Sequence, residues 1–189
     1  GGTSLPRNTR ERLIIFAGRL VPEKNVKTLI EAAQVFLPKL DGYHLYLFGA
    51  GPLRDSLQRQ IDQTGVGDRI CLYGHCDNLP LWLKHSHAMV SLSHFEGQPN
   101  VVLEAAQAGC PLILSDIPAH RDVIPDDAAW FCNGNNANDV AKSVLQALSD
   151  EGDIHARSER ARQAVAGRSV DATVAEYLRI YEQVLGRTR

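Results

Sequence analysis

Ser93-His94-Phe95-Glu96-Gly97-Gln98-Pro99-Asn100-Val101-Val102-Leu103-Glu104-Ala105-Ala106-Gln107-Ala108-Gly109 begins where the apolar run Ala88-Met89-Val90-Ser91-Leu92 ends, and passes into a helical pattern. Its polar residues therefore stand where a strand hands over to a helix, the place where ligands bind in α/β sheets. Gly97, Gln98 and Pro99 make a turn that brings backbone close to whatever sits there. The first helical N–H groups, around Asn100, Val101 and Val102, have no partners within the helix and suit an anion. Glu104 follows about one turn later, so it can project back to the same mouth as Glu96. Carboxylates accept hydrogen bonds and repel phosphate, so this pair suits hydroxyls beside a phosphate-sized donor site. A sugar attached to a phosphate meets both demands.

The flanking sequence repeats the strand-to-helix alternation. Residues 12–17 read as a first strand, left through Gly18-Arg19 and Pro22, with Asn25 placed to cap a helix over 26–36. A second strand over 43–48 runs into Gly49-Ala50-Gly51-Pro52 and a helix over 53–63. A third over 69–73 leads to Gly74-His75-Cys76-Asp77-Asn78, where Asp77 or Asn78 caps a short helix through Trp82 and Leu83. Residues 88–92, 111–115 and 129–132 give three more strands. Helices follow over about 137–148, 151–166 and 170–185, the last with an apolar stripe of Val174, Tyr177, Leu178, Tyr181 and Leu185. The expected fold is α/β: a Rossmann-like parallel six-stranded sheet flanked by helices on both faces. In such a sheet every strand exit lies on one edge, so the glycines and polar residues of the exits converge on one crevice.

Composition sets the limits. Hydrophobic residues form 44% of the 189, enough for a full core, so the chain reads as one domain with at most a short appendage. Twenty basic residues against 22 acidic ones leave a formal charge of -2, which argues against a broad nucleic-acid footprint. No apolar run is long enough to cross a bilayer, and the first residues lack the apolar core of a signal peptide. The chain begins without Met, so the expectation is a piece of a longer protein. Cys71, Cys76, Cys110 and Cys132 show no C-x-x-C spacing; they read as reduced thiols of a cytosolic protein, with Cys71, Cys110 and Cys132 as core fillers.

Several motifs are absent or partial. Gly49-Ala50-Gly51 is a fragment of the dinucleotide fingerprint, lacks its third glycine and sits in the second βα turn rather than the first. No P-loop, no nucleophile elbow and no H-E-x-x-H or Cys/His cluster is present, so no metal site is expected. Arg19 and Lys24 both leave the first strand on its carboxyl side. A guanidinium fork and an ammonium point charge there can neutralise two phosphates without a metal. His75 and His94 stand at strand exits, where they either bond a substrate or hold their loops. His85 and His87 read as helix-end surface or packing residues, and Trp82 and Trp130 as packing residues.

Taken in order, Gly18-Arg19-Leu20 with Glu23-Lys24, Leu47-Phe48-Gly49-Ala50-Gly51-Pro52, Tyr73-Gly74, Ser93-x-x-Glu96-Gly97-x-Pro99-Asn100-x-x-Leu103-Glu104-Ala105 and Ser115-Asp116-Ile117-Pro118 resemble the C-terminal lobe of the retaining, nucleotide-sugar-dependent glycosyltransferases of family 4. These enzymes have the two-lobed GT-B architecture. The resemblance implies that Arg19 and Lys24 grip the donor diphosphate in place of a metal, with no cofactor beyond the nucleotide sugar itself. It gives Glu96 the donor sugar, helped by the backbone of Gly97, Gln98, Pro99 and Asn100, and it gives Glu104 the ribose. Val101 and Val102 N–H groups meet phosphate, and the loop from Gly74 through His75 and Asn78 to Leu79 reads the base. Gly18, Gly49 and Gly51 let the chain pass close to the nucleotide.

The resemblance further implies a UDP-sugar donor, with UDP-glucose favoured, a sugar or lipid-linked acceptor, and polysaccharide or glycoconjugate synthesis. An N-terminal acceptor-binding lobe is missing, so a fragment inactive alone is expected: a flexible segment over 1–11, a donor domain over 12–170 and a terminal helix over 171–189 that packs on the domain or toward the missing lobe. The full enzyme is expected in the cytoplasm, at the inner face of a membrane, with no nucleic-acid partner. Two departures stand out: Asn25 replaces a glycine common after the lysine, and Asp126-Asp127-Ala128-Ala129-Trp130 lacks a glycine common before the sixth strand. The competing readings are a non-catalytic nucleotide-binding module and, from Gly49-Ala50-Gly51, a Rossmann-type oxidoreductase.

Overall fold

Along β1 (Arg12–Ala17), Leu13 and Ile15 are buried in one apolar cluster while Ile14 and Phe16 are buried in another. A strand buried on both faces belongs to the middle of a sheet covered by helices on both sides. The computed structural model, which describes residues 11–167, bears this out. The remaining strands are β2 (Tyr43–Phe48), β3 (Ile70–Gly74), β4 (Ala88–Ser91), β5 (Leu112–Ser115) and β6 (Trp130–Cys132). They form one six-stranded sheet in the order β3-β2-β1-β4-β5-β6 with every neighbouring pair parallel.

The helices divide between the faces as the two clusters require. Three of them, α1 (Val26–Phe36), α2 (Arg54–Asp62) and α6 (Ala137–Ala147), pack with Ile14, Phe16, Leu45, Leu47, Val90 and Ile113. On the other face α3 (Leu79–Lys84), α4 (Asn100–Gln107) and α7 (Glu151–Val165) pack with Leu13, Ile15, Met89, Leu112 and Leu114. The short α5 (Pro118–Arg121) leads into Ile124 of that second cluster. Because chain order reverses between β1 and β4, their carboxyl ends diverge into a crevice, the topological switch point of a doubly wound sheet.

Element boundaries differ from the sequence reading by one or two residues, but some local expectations fail. Neither Asp77 nor Asn78 caps α3 with its side chain; the helix instead starts with a proline in its first turn, where no N–H is lost. Asn25 does precede α1, yet it adopts a left-handed conformation with φ 53° and makes no side-chain bond to the helix backbone. Its Oδ1 accepts from the Thr28 hydroxyl at 2.7 Å, and its Nδ2 donates to the Gly134 carbonyl at 2.7 Å. Asparagine tolerates this conformation better than most non-glycine residues, so it can stand where glycine would be the ordinary choice and gain a tie to the β6 exit as well.

Cys71 is exposed rather than a core filler, because β3 is an edge strand, whereas Cys110 and Cys132 are buried and burial raises their thiols to about 12. Of the two readings of His87, packing holds: it is half-buried, and Leu13 N–H donates to its Nδ1 at 3.2 Å, joining β1 to the start of β4. Trp82 packs among Tyr46, Phe48 and Tyr73, with ring centroids 5.0 to 5.5 Å from its own. The segment expected over 1–11, apart from its last residue, and the helix expected over 170–185 lie outside the described residues.

Candidate functional site at the switch point

The exits of β1 and β4 are tied directly to each other. After β1 the chain passes Gly18-Arg19 and a 3-10 turn, Pro22–Lys24, before the left-handed Asn25 aims it into α1. After β4, His94 N–H donates to the Glu23 carbonyl at 2.9 Å, and Lys24 Nζ pairs with Glu96 Oε1. Two residues that lie 72 positions apart in sequence thus meet across the crevice.

Glu96 is braced from behind. Ser93 Oγ donates to its Oε1 at 2.7 Å; Ser115 Oγ, at the end of β5, donates to the Ser93 carbonyl at 2.7 Å. His120 Nδ1–H donates to the Ser115 carbonyl at 2.9 Å. His120 is fully buried, its Nε2 has no partner among the described residues, and burial lowers its pKa, so it sits as the neutral ring with the proton on Nδ1. Ser93 and Ser115 stand within the sequence motifs, but the sequence assigned no role to them or to His120, since a serine three residues before a glutamate carries no signal of its own. Their contribution depends on the β4–β5 pairing, which only the fold supplies.

A cleft of about 200 Å³ opens beside this pair. Of the sequence-derived candidates, Gly18, Arg19, Lys24, Glu96, Gln98, Pro99, Asn100, Val101 and Val102 all line it, together with Ala17 and Ser91. Arg19 is exposed and forms no ion pair among the described residues, so its guanidinium is at the disposal of a ligand. The N-terminus of α4 has no side-chain cap and no acidic residue in its first turn, which leaves the helix's positive end toward the cleft. Gly97 has open space where a Cβ would stand, so its lack of a side chain answers no demand from the protein itself.

Other candidates stand around the cleft rather than in its wall. Glu104, one turn into α4, is half-buried, its pKa is raised by burial, and its carboxylate makes no hydrogen bond among the described residues. Such a carboxylate is an unsatisfied acceptor. The loop from Gly74 to Leu79 lies two strands away on the same edge; His75 there is exposed and pairs with Asp77 at 3.1 Å.

Gly49 and Gly51 have a reason of their own. A Cβ on Gly49, whose φ is 131°, would stand 1.8 Å from the Gly18 carbonyl, and one on Gly51 would stand 2.4 Å from that of Leu20. Both glycines let the β2 exit seat on the β1 exit, an arrangement held by Leu20 N–H donating to the Ala50 carbonyl at 2.9 Å. Their spacing is thus explained by backbone packing, which removes the reason for reading a dinucleotide fingerprint into it.

Among the described residues no group of three or more His, Cys, Asp or Glu side chains is arranged to hold a metal ion. None of their helices is long and apolar enough to cross a membrane. The cleft offers two cations, a helix N-terminus and the Glu96 carboxylate, with the half-buried Glu104 one turn into α4.

The family model described as glycosyl transferases group 1 matches residues 3–164. The chain belongs to that family. Within glycosyl transferases group 1, it is 24% identical over 174 residues to the poly(ribitol-phosphate) alpha-N-acetylglucosaminyltransferase of Staphylococcus aureus (strain COL), covering 90% of this chain and 35% of that protein. The fold is shared with the pneumococcal O-GlcNAc transferase solved in complex with UDP and GlcNAc, at TM-score 0.82 and 23% identity over 94% of this chain and 37% of that one. It is shared too with the C-terminal domain of a glycosyl transferase group 1 family protein from Francisella tularensis, at TM-score 0.73 and 23% identity over 82% of this chain and 84% of that one. The chain thus spans about a third of the staphylococcal relative's length but most of an isolated C-terminal domain.

Proposed function

We propose that this chain is the C-terminal, donor-binding lobe of a retaining GT-B glycosyltransferase of family 4. It takes a nucleotide diphosphate sugar, UDP-linked and most simply UDP-glucose, whose hexose passes to a sugar or lipid-linked acceptor in polysaccharide or glycoconjugate synthesis. The observation that carries this reading is the meeting of Arg19, Lys24, Glu96 and the open N-terminus of α4 around one cleft at the switch point. The coverage of an isolated C-terminal domain supports the lobe, and the UDP complex of the pneumococcal transferase supports the base.

In the reaction, the bond from the sugar's anomeric carbon to the diphosphate breaks while an acceptor hydroxyl oxygen forms the new one on the same face, its proton passing to the departing diphosphate oxygen. Charge develops on the departing diphosphate. Arg19, Lys24 and the Val101 and Val102 N–H groups meet that charge with dipoles and cations already in place, which is where electrostatic catalysis gains most. Lys24 is paired with Glu96, so donor binding re-partitions its hydrogen bonds between carboxylate and phosphate. Glu96 then faces the sugar hydroxyls, and Glu104 accepts from the ribose. The protein works in the cytoplasm, at the inner face of a membrane when complete.

Calorimetry with UDP, GDP, ADP and 2′-deoxy-UDP tests the reading. UDP is expected to bind most tightly, and Glu104→Ala to erase the advantage of UDP over 2′-deoxy-UDP while leaving the order of the bases intact. Failure of every nucleotide to bind would sink the donor-site assignment.

A further inference from the structure

Beside the donor cleft, the same sheet edge holds a second hollow of about 310 Å³ that the donor reading leaves unused. It lies over the exits of β4, β5 and β6, and its polar lining includes His94, Asp116, Asn133 and Asn135. Phe95 is the residue between His94, which lines this hollow, and Glu96, which lines the donor cleft. With 66% of its surface accessible, Phe95 is the one large hydrophobic side chain left exposed among the described residues.

Phe95 is not exposed because its loop is loose. His94 N–H is bonded to the Glu23 carbonyl, and Glu96 is held by Lys24 and Ser93, so the backbone on either side of the ring is fixed. The far wall is fixed as well: the Asn25 amide donates to the Gly134 carbonyl, and a Cβ on Gly134 would stand 2.9 Å from that of Ser115. An aromatic ring presented to water on a tethered loop is a surface made for contact.

The chemistry of the hollow narrows its ligand. The negative charge of Asp116 is already met by Arg121, whose Nε and Nη2 donate to its two oxygens at 2.8 and 3.0 Å. No lysine or arginine lines the hollow, so nothing there attracts phosphate. What remains are the His94 imidazole and the amides of Asn133 and Asn135, whose oxygens already accept from Asn135 N–H and Asn25 Nδ2 and each keep a second lone pair, with Phe95 next in the chain. A neutral saccharide presents the complement: hydroxyls that donate and accept around its edge, and an apolar C–H face that packs on a ring.

We propose that this hollow, with the exposed Phe95 next in the chain to its lining residue His94, is a saccharide subsite for the acceptor beside the donor cleft. It rests on the donor reading only for the word acceptor; the hollow and its preference for neutral sugars stand on their own geometry.

The test follows backbone amide NMR signals of this chain, with UDP present, as methyl α-glucoside, methyl β-glucoside or methyl N-acetyl-α-glucosaminide is added. Shifts are expected at His94, Phe95, Asp116 and Asn133 to Asn135, and inorganic phosphate should leave those signals still. Phe95→Ala should weaken glycoside binding about five-fold, and Phe95→Trp should restore it, the range expected for one aromatic contact. UDP affinity, read by calorimetry, should be the same in both variants. Glycoside shifts confined to Gly97–Val102, equal glycoside affinity in Phe95→Ala, or no shift with any of the three glycosides would each overturn the subsite. Failure of UDP to bind while the glycosides still shift the hollow would instead refute the donor reading and leave the saccharide site standing.

Discussion

Arg19 and Lys24 share a task but not an environment, and that difference is measurable. Arg19 is exposed and makes no ion pair among the described residues, so its removal subtracts only what it gives a ligand. Arg19→Ala should weaken UDP binding by about 1.5 to 3 kcal/mol, the range for a charge-assisted contact, with an unchanged melting temperature. The Lys24 and Glu96 side chains are only 22% and 13% exposed, and Lys24→Ala leaves the carboxylate with the Ser93 hydroxyl alone. That variant should lose a similar amount of UDP affinity and also about 1 kcal/mol of stability, or about 2 to 4 °C in melting temperature. Calorimetry and thermal denaturation of the two variants check both halves of the expectation. Wild-type UDP affinity in both would remove phosphate from their roles.

At the level of elements, two histidines join strands to their surroundings, His120 buried and His87 half-buried, and burial disfavours the charged form of both. Burial lowers the pKa of His87, which accepts from Leu13 N–H between β1 and β4, and that of His120, which anchors α5 to the Ser115 carbonyl at the end of β5. A histidine whose folded pKa lies below its ordinary 6.5 binds its proton more readily when unfolded. Their stabilising effect is therefore complete above about pH 6.5 and is lost as pH falls below it. The urea midpoint should fall between about pH 7.5 and 5.5, and His120→Gln should flatten that slope. An unaltered slope would place the titration elsewhere. Neither histidine's role was legible in the sequence, since His87 acts through a backbone group 74 positions away and His120 through a strand end. What the sequence did disclose were features with a local cause: apolar runs of strand length, glycines at their exits, and Glu96 and Glu104 spaced to flank a helix start. Cys71 was misplaced for the converse reason, because an apolar run does not say which strand will stand at the edge. Gly49 and Gly51 were legible as glycines, but the backbone they approach belongs to another loop.

For the molecule as a whole, the doubly wound order gathers every exit on one edge and leaves that edge open. On the proposed reading the groups found there hold and polarise a diphosphate, with Arg19, Lys24 and the start of α4 serving the leaving group, while Glu96 is bonded to Lys24 and Ser93. A retaining transfer also needs a second reactant oriented at the anomeric carbon and water kept away from it, since positioning supplies a large share of the barrier reduction. An open cleft of about 200 Å³ provides the first half of that arrangement and cannot by itself exclude water. This chain alone should therefore bind UDP and UDP-glucose but release UDP from the sugar nucleotide no faster than the uncatalysed background, as read by a coupled assay for free UDP. The longer protein that contains it should turn the donor over, and Arg19→Ala in that protein should lower kcat/KM by about 10- to 100-fold, the kinetic equivalent of the binding loss argued above. Turnover by the isolated chain at the rate of the longer protein would mean that the whole active site lies within this one lobe. Closure by a second lobe would then be unnecessary, and the two carboxylates would have to complete the chemistry without it.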